Sequence, residues 1–278
     1  MQQFTRNGYA FDLDDSVDQS GSTGPVVVLL HGFPENRSSW RAMTPLLVQS
    51  GFRVLAPDQR GYSPGARPLD RRSYAMPELV ADALALVDAS GADKVHLVGH
   101  DWGGAVAWAF ASAHPDRLHT VTSLTTPHPR AFLKSMLGSQ VLRSWYMVMF
   151  QIPGLPEAAI TARGGANFKR SLLQSGLDED AAERYAAPLR DRAAARAAVN
   201  WYRGLPLSPP MRGNVTVPSM YVYATGDRFL GPKAARLTGD FVDAPYRFER
   251  LEGRSHWLPE QEPAEMARLI TEHAREHT

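Results

Sequence analysis

Residues 95–105 read Val-His-Leu-Val-Gly-His-Asp-Trp-Gly-Gly-Ala, and Asp101 is the member of that run best placed to do chemistry. An apolar stretch leads into a glycine-flanked turn and then into small residues. That is the strand–elbow–helix context in which a nucleophile is held exposed above a sheet. A serine at such an elbow must give up a proton before it attacks, whereas a carboxylate with a free pKa of about 3.9 is already anionic at neutral pH. A poised carboxylate suits displacement at a saturated carbon, leaving an ester between protein and substrate. An aspartate after a strand can also simply cap the next helix. The flanking Gly99, Gly103 and Gly104 favour the elbow.

Such an elbow calls for an acid and then a histidine further along the chain. Asp227 follows the run Tyr221-Val222-Tyr223-Ala224-Thr225-Gly226, and His256 follows a last run, Arg247–Leu251, after Glu252-Gly253-Arg254-Ser255. Taken singly, Asp227 reads equally well as a turn acid and His256 as a packed surface histidine. Their order and joint placement select them as orienting acid and base. Asp240 and Asp243 are reserve acids, and the other position for an acid, after Thr120–Leu124, holds Thr125 and Thr126.

His31-Gly32-Phe33-Pro34-Glu35 follows the apolar run Val26–Leu30. A loop there can direct the Phe33 N–H into an oxyanion hole together with the Trp102 N–H. Phe33–Pro34 is a candidate cis peptide. Glu35 is a candidate for placing a water, though a loop acid is an equal reading. Gly61-Tyr62-Ser63-Pro64-Gly65 spells the serine elbow literally, but Pro64 and a Pro/Arg-rich loop follow, so Ser63 is rejected as a nucleophile.

The elements that must position these groups alternate. Phe4–Arg6 and Tyr9–Leu13 flank Asn7-Gly8, a hairpin signal. The runs Val26–Leu30, Arg53–Ala56, Val95–Val98, Thr120–Leu124, Met220–Ala224 and Arg247–Leu251 read as strands, with helical patterns at Met76–Ser90 and Gly103–His114. Alternation of this kind predicts an α/β fold, a mostly parallel sheet with helices on both faces. From Pro127 to Met211 only helical stretches appear. Tyr146, Met149 and Phe150 share one stripe, and Ala195, Ala198 and Tyr202 share another, with Gly204 as its stop. The expected organisation is a core of residues 1–126 and 212–278 and a helical cap, 127–211, inserted after the sixth strand.

Of the 278 residues 44% are hydrophobic and the formal net charge is +1, which permits a large core and argues against a nucleic-acid partner. The arginines between 184 and 203 lie among acids and read as a solvated helix face. With no cysteines, disulfides and thiolate chemistry are excluded. The remaining histidines show no paired ligand spacing, so neither metal nor cofactor is expected. Met1–Leu13 lacks the pattern of a signal peptide and no apolar run reaches the ~20 residues of a bilayer span. A cytoplasmic protein without a membrane partner is the default expectation, and oligomeric state is left open.

Together these pieces resemble the epoxide hydrolases of the α/β-hydrolase fold. The resemblance rests on His31-Gly32-Phe33-Pro34-Glu35, Asp58-Gln59-Arg60-Gly61-Tyr62, Gly99-His100-Asp101-Trp102-Gly103-Gly104 and Ser255-His256-Trp257. Within the helical stretch it adds Trp145-Tyr146-Met147-Val148-Met149-Phe150-Gln151-Ile152-Pro153-Gly154 and Asn200-Trp201-Tyr202-Arg203-Gly204. It runs over nearly the whole chain, with Arg254-Ser255 before His256 as a mild departure. The family's two lid tyrosines land on Tyr146 and Tyr202.

The resemblance implies conversion of a small lipophilic epoxide and water to a vicinal diol through an ester on Asp101. Phenols with a free pKa near 10 stay protonated and can donate to the opening ring's oxygen. Tyr146, Tyr202, Trp102 and Phe33 are the expected substrate contacts, and Phe132, Leu133, Met147 and Phe150 suggest a lipophilic entrance. A haloalkane or haloacid dehalogenase would use the same Asp101, His256 and Asp227, and a non-catalytic ligand-binding member of the fold is a remoter alternative.

Overall fold

The computed structural model describes residues 1–17, 24–136 and 140–278, except for the side chain of Leu142. The first two strands, β1 (Gln3–Arg6) and β2 (Tyr9–Asp15), pair antiparallel. Asn7 and Gly8 both take positive φ, 50° and 80°, as a two-residue hairpin turn requires. Six more strands follow: β3 (Val26–Leu30), β4 (Arg53–Pro57), β5 (Val95–His100), β6 (Leu118–Leu124), β7 (Ser219–Ala224) and β8 (Tyr246–Leu251). The sheet order is β1-β2-β4-β3-β5-β6-β7-β8, with every pair from β4 to β8 parallel.

All residues of β3, β5 and β7 are buried, so none of these strands alternates between core and solvent; β3 is apolar throughout, while β5 also encloses His96 and His100. On one face Leu79 and Leu86 of the helix Met76–Ser90 and Val106 and Phe110 of Trp102–Ala113 cover the sheet. On the other, Leu47 of Thr44–Gln49 joins Met266 and Ile270 of Pro263–Glu276 against Leu29, Val98 and Val222. Each such side chain contributes about 1.5–3 kcal/mol by leaving water. The expected two-faced α/β sheet is thus the observed one.

Between β6 and β7 the described residues form helices only, from Pro129–Ser135 to Arg192–Gly204. The helix Arg192–Gly204 lies deep, with every residue from Ala197 to Gly204 buried. One expectation holds in place but not in form, and another fails. The helix ends at Gly204 as expected, but Gly204 stays right-handed and the chain continues into a 3₁₀ turn, Leu205–Leu207. Its need for glycine is spatial: a Cβ would lie 2.3 Å from the Tyr74 carbonyl oxygen. Arg203 is not on a solvated face either; it is 6% exposed and bonded to Glu157.

Candidate active site

The strand ends stagger so that the loops after β3, β5, β7 and β8 meet above one edge of the sheet. Asp101 follows β5 with φ 50° and ψ −119°, a strained conformation that lifts its side chain off the helix it precedes. Close approach makes the turn possible. A Cβ on Gly99 would sit 2.1 Å from the Gly103 carbonyl oxygen, and one on Gly103 would sit 2.0 Å from that of Leu30. Thr126 Oγ1 donates to the Asp101 carbonyl at 2.7 Å, fixing the elbow from the β6 side. The position considered for an alternative acid therefore holds the turn instead.

Asp101 Oδ1 accepts the Phe33 N–H at 2.8 Å, and the Trp102 N–H also favours the charged form of this carboxylate. Oδ2 faces His256 Nε2 at 3.6 Å. His256 Nδ1 meets Asp227 Oδ2 at 2.7 Å, while Asp227 Oδ1 accepts the N–H groups of Phe229 at 2.6 Å and Leu230 at 3.0 Å. Asp240 and Asp243, the reserve acids, are exposed. Burial pushes the Asp101 carboxyl upward, against the opposing pull of His256, His100 and the two N–H groups. Burial disfavours the His256 cation, yet Asp227 and then Asp101 outweigh it and raise His256 to about 9.

Beneath this row lies a contact that residue types alone did not reveal. Glu35 Oε2 accepts the Gly32 N–H at 3.0 Å and meets His100 Nδ1 at 2.7 Å, while His100 Nε2 donates to the His256 carbonyl at 2.8 Å. Glu35 is therefore buried under the loop rather than exposed upon it, with Oε1 left without a hydrogen-bond partner. Gln59 braces the same loop through Nε2 to the His31 carbonyl at 2.5 Å. The Phe33–Pro34 peptide is cis. Ser63 Oγ donates to the Asp58 carbonyl and accepts the Asp12 N–H, the bonds of a loop staple.

Tyr146 and Tyr202 face the strand ends from the helical segment, their ring centroids 5.9 Å apart. Burial raises both phenols, reinforced by Asp101, so both stay protonated across the working range. A cavity of about 550 Å³ lies between them and Asp101, lined also by Phe33, Phe229 and His256. That volume suits a small organic ligand. Trp102, expected to touch substrate, lies outside this lining: its indole packs edge-on behind Tyr202 at 5.0 Å. Of the four residues expected at an apolar entrance, Phe150 lines the cavity; Leu133 points to solvent, and Phe132 and Met147 lie off the lining. Side chains on one helical face separate in this way once neighbouring elements pack against only part of it.

The two tyrosines are tied by residues that carried no local signal. Arg203 donates to the carbonyls of Phe150 at 2.9 Å and Ile152 at 3.0 Å and pairs with buried Glu157. Gln151 Nε2 donates to the Tyr202 carbonyl at 2.8 Å. Trp201 Nε1 donates to the Arg60 carbonyl at 2.7 Å, joining the helix to the core. Away from this site, one further group of metal-type donors gathers among the described residues: His273, Glu276 and His277. His273 lies in the last turn of the helix Pro263–Glu276 and His277 is the residue just after it, four positions on, a pairing the sequence motifs did not single out.

Known proteins agree with this architecture. Residues 25–263 match the family model for the alpha/beta hydrolase fold. Epoxide hydrolase A of Mycobacterium tuberculosis is 31% identical over 92% of each chain. An AB hydrolase superfamily protein of Bacillus subtilis, YfhM, is 33% identical over 91% of each. The crystal structure of epoxide hydrolase A from Mycobacterium thermoresistibile superposes with a TM-score of 0.84 at 27% identity, covering 98% of this chain and 97% of that one. With an aspartate at the elbow, a matching model across most of its length and relatives of this kind, the chain is a hydrolase of the α/β-hydrolase family, in the branch that contains the epoxide hydrolases.

Proposed function

We propose that this protein hydrolyses a lipophilic epoxide to a vicinal diol through an ester on Asp101, with residues 127–211 serving as a lid. The observation that carries the reading is the division of labour around Asp101. One oxygen accepts the Phe33 N–H, the other faces His256, and two phenols stand across the cavity. Asp101 Oδ2 attacks a ring carbon, and the C–O bond to the ring oxygen breaks. Tyr146 and Tyr202 hold that oxygen, and a phenol proton neutralises the alkoxide as it forms.

Esterification removes the Asp101 charge, one of the anions that hold the His256 cation. His256 then sheds its proton, balancing the one the phenol gave, and becomes free to take a proton from water. That water attacks the ester carbonyl, and the resulting oxyanion sits where Oδ1 already meets the Phe33 N–H, beside the Trp102 N–H. Collapse returns the proton to the departing alkoxide, releases the diol and leaves Asp101 carrying one oxygen from water. Glu35, through His100 and the His256 carbonyl, supports the placement of the base.

Dehalogenation, the alternative, needs N–H donors free to hold halide. The two phenols that line the cavity opposite Asp101 favour the epoxide. The test is His256→Gln with styrene oxide. We expect the intact mass to rise by one substrate with the adduct on Asp101. A folded variant that forms no adduct, beside an active wild type, would overturn the ester; halide release in place of diol would select the alternative.

A further inference from the structure

The other edge of the sheet, where the strands begin, collects four histidines that the proposed reaction does not use. His96 in β5 and His119 in β6 stack with ring centroids 5.2 Å apart. His273 and His277, at the end of the helix Pro263–Glu276, meet edge-on at 5.0 Å. His273 is 1% exposed, and neither ring nitrogen makes a hydrogen bond of ordinary geometry. Imidazole always carries a lone pair or a proton on each nitrogen, so a buried ring of this kind wants a partner. Three and four residues on, Glu276 and His277 bring a carboxylate and a second imidazole to the same helix end. The donor atoms of His273, Glu276 and His277 all lie within 4.8 Å of one another.

We propose that His273, Glu276 and His277 form a binding site for a divalent transition ion, of the Zn²⁺, Ni²⁺ or Cu²⁺ type, with water completing the coordination. Two imidazoles and one carboxylate suit those ions, whereas Ca²⁺ and Mg²⁺ prefer all-oxygen shells. Zinc–nitrogen bonds of about 2.0–2.1 Å require the donors to draw closer. Exposed Glu276 and half-buried His277 have the freedom to do so. The Pro218 carbonyl stands beside the His273 ring, placed to take its N–H and aim the other nitrogen at the ion. Among the cations nearby, Arg247 opposes the site. An ion held there ties the last turn of the helix to the residue that follows it, far from Asp101.

The test uses the full chain without a histidine tag, stripped with chelator and titrated with Zn²⁺, Ni²⁺ or Cu²⁺ by calorimetry. We expect one equivalent bound, a melting temperature raised by about 5 °C at a hundredfold excess over Kd, and unchanged styrene oxide turnover. Glu276→Gln and His277→Ala, both outside the core, should each weaken binding at least tenfold while leaving turnover intact. No binding of any of the three ions, binding that survives both substitutions, or stoichiometric inhibition that places the ion at His256 would each overturn the site.

Discussion

The floor and the roof of the cavity are built in different ways. Asp101 and Asp227 are held at strand ends by backbone N–H groups, those of Phe33 and Trp102 for one and of Phe229 and Leu230 for the other. Tyr146 and Tyr202 sit on helices joined by side chains, through Arg203, Glu157 and Gln151. Short of proline, no substitution removes a backbone donor, whereas a single one can untie a helix. The floor is therefore set by the fold, and the roof by a few contacts that can be altered one at a time.

The sharpest break in this comparison is Asp101→Asn. On the proposed mechanism it leaves both halves in place and removes the attacking anion, so single-turnover product formation should fall by about 10⁴-fold or more with circular dichroism unchanged. Next come the phenols. Tyr146→Phe and Tyr202→Phe should each slow ring opening by about 10²-fold and the double variant further, read as the rate of ester formation. Ester hydrolysis on the floor should be unaffected. An unchanged alkylation rate in the double variant would return both residues to packing.

Arg203→Met tests the ties themselves. It leaves Glu157 buried without its partner, which costs about 3–5 kcal/mol in urea unfolding. Ring opening should slow through displaced tyrosines, while hydrolysis of a preformed ester keeps its rate. Equal losses in both steps would mean that floor and roof are coupled.

The smallest effect is titration of stability. His256 is raised to about 9 in the folded chain, above its unfolded value near 6.5. Its stabilising contribution is complete below about pH 6.5 and is lost as pH climbs through about 9. Urea midpoints across that window should decline in the wild type and lose that decline in His256→Gln. His96 and His273, each lowered to about 4, act in the opposite sense. Their contribution is present above about 6.5 and fades as pH falls toward 4.

Much of the floor was legible because strand ends follow apolar runs and the acid and histidine come in a fixed chain order. Asp227 and His256 could be selected from that order alone, and the structure brings them together beside Asp101. Glu35 was ambiguous because a loop acid looks the same whether it faces solvent or His100, 65 residues away. Arg203 was misplaced because its charge, set among other arginines, suggested water, while its partner Glu157 lies 46 residues back with no periodic relation to it. Trp102 was given to the substrate because its neighbour is the elbow, but the packing of Tyr202 against it turned the indole away from the cavity.

Residue type and order along the chain determined the α/β alternation, the anionic elbow and the candidates for acid and base, since these depend on periodicity and on intrinsic ionisation. Only the tertiary structure decided which oxygen of Asp101 meets the backbone donors, what holds the two phenols over it, and that His273 is enclosed beside Glu276 and His277. Those outcomes depend on contacts between distant segments, and burial, which sets the cost of an unpaired polar group, exists only once the segments have packed.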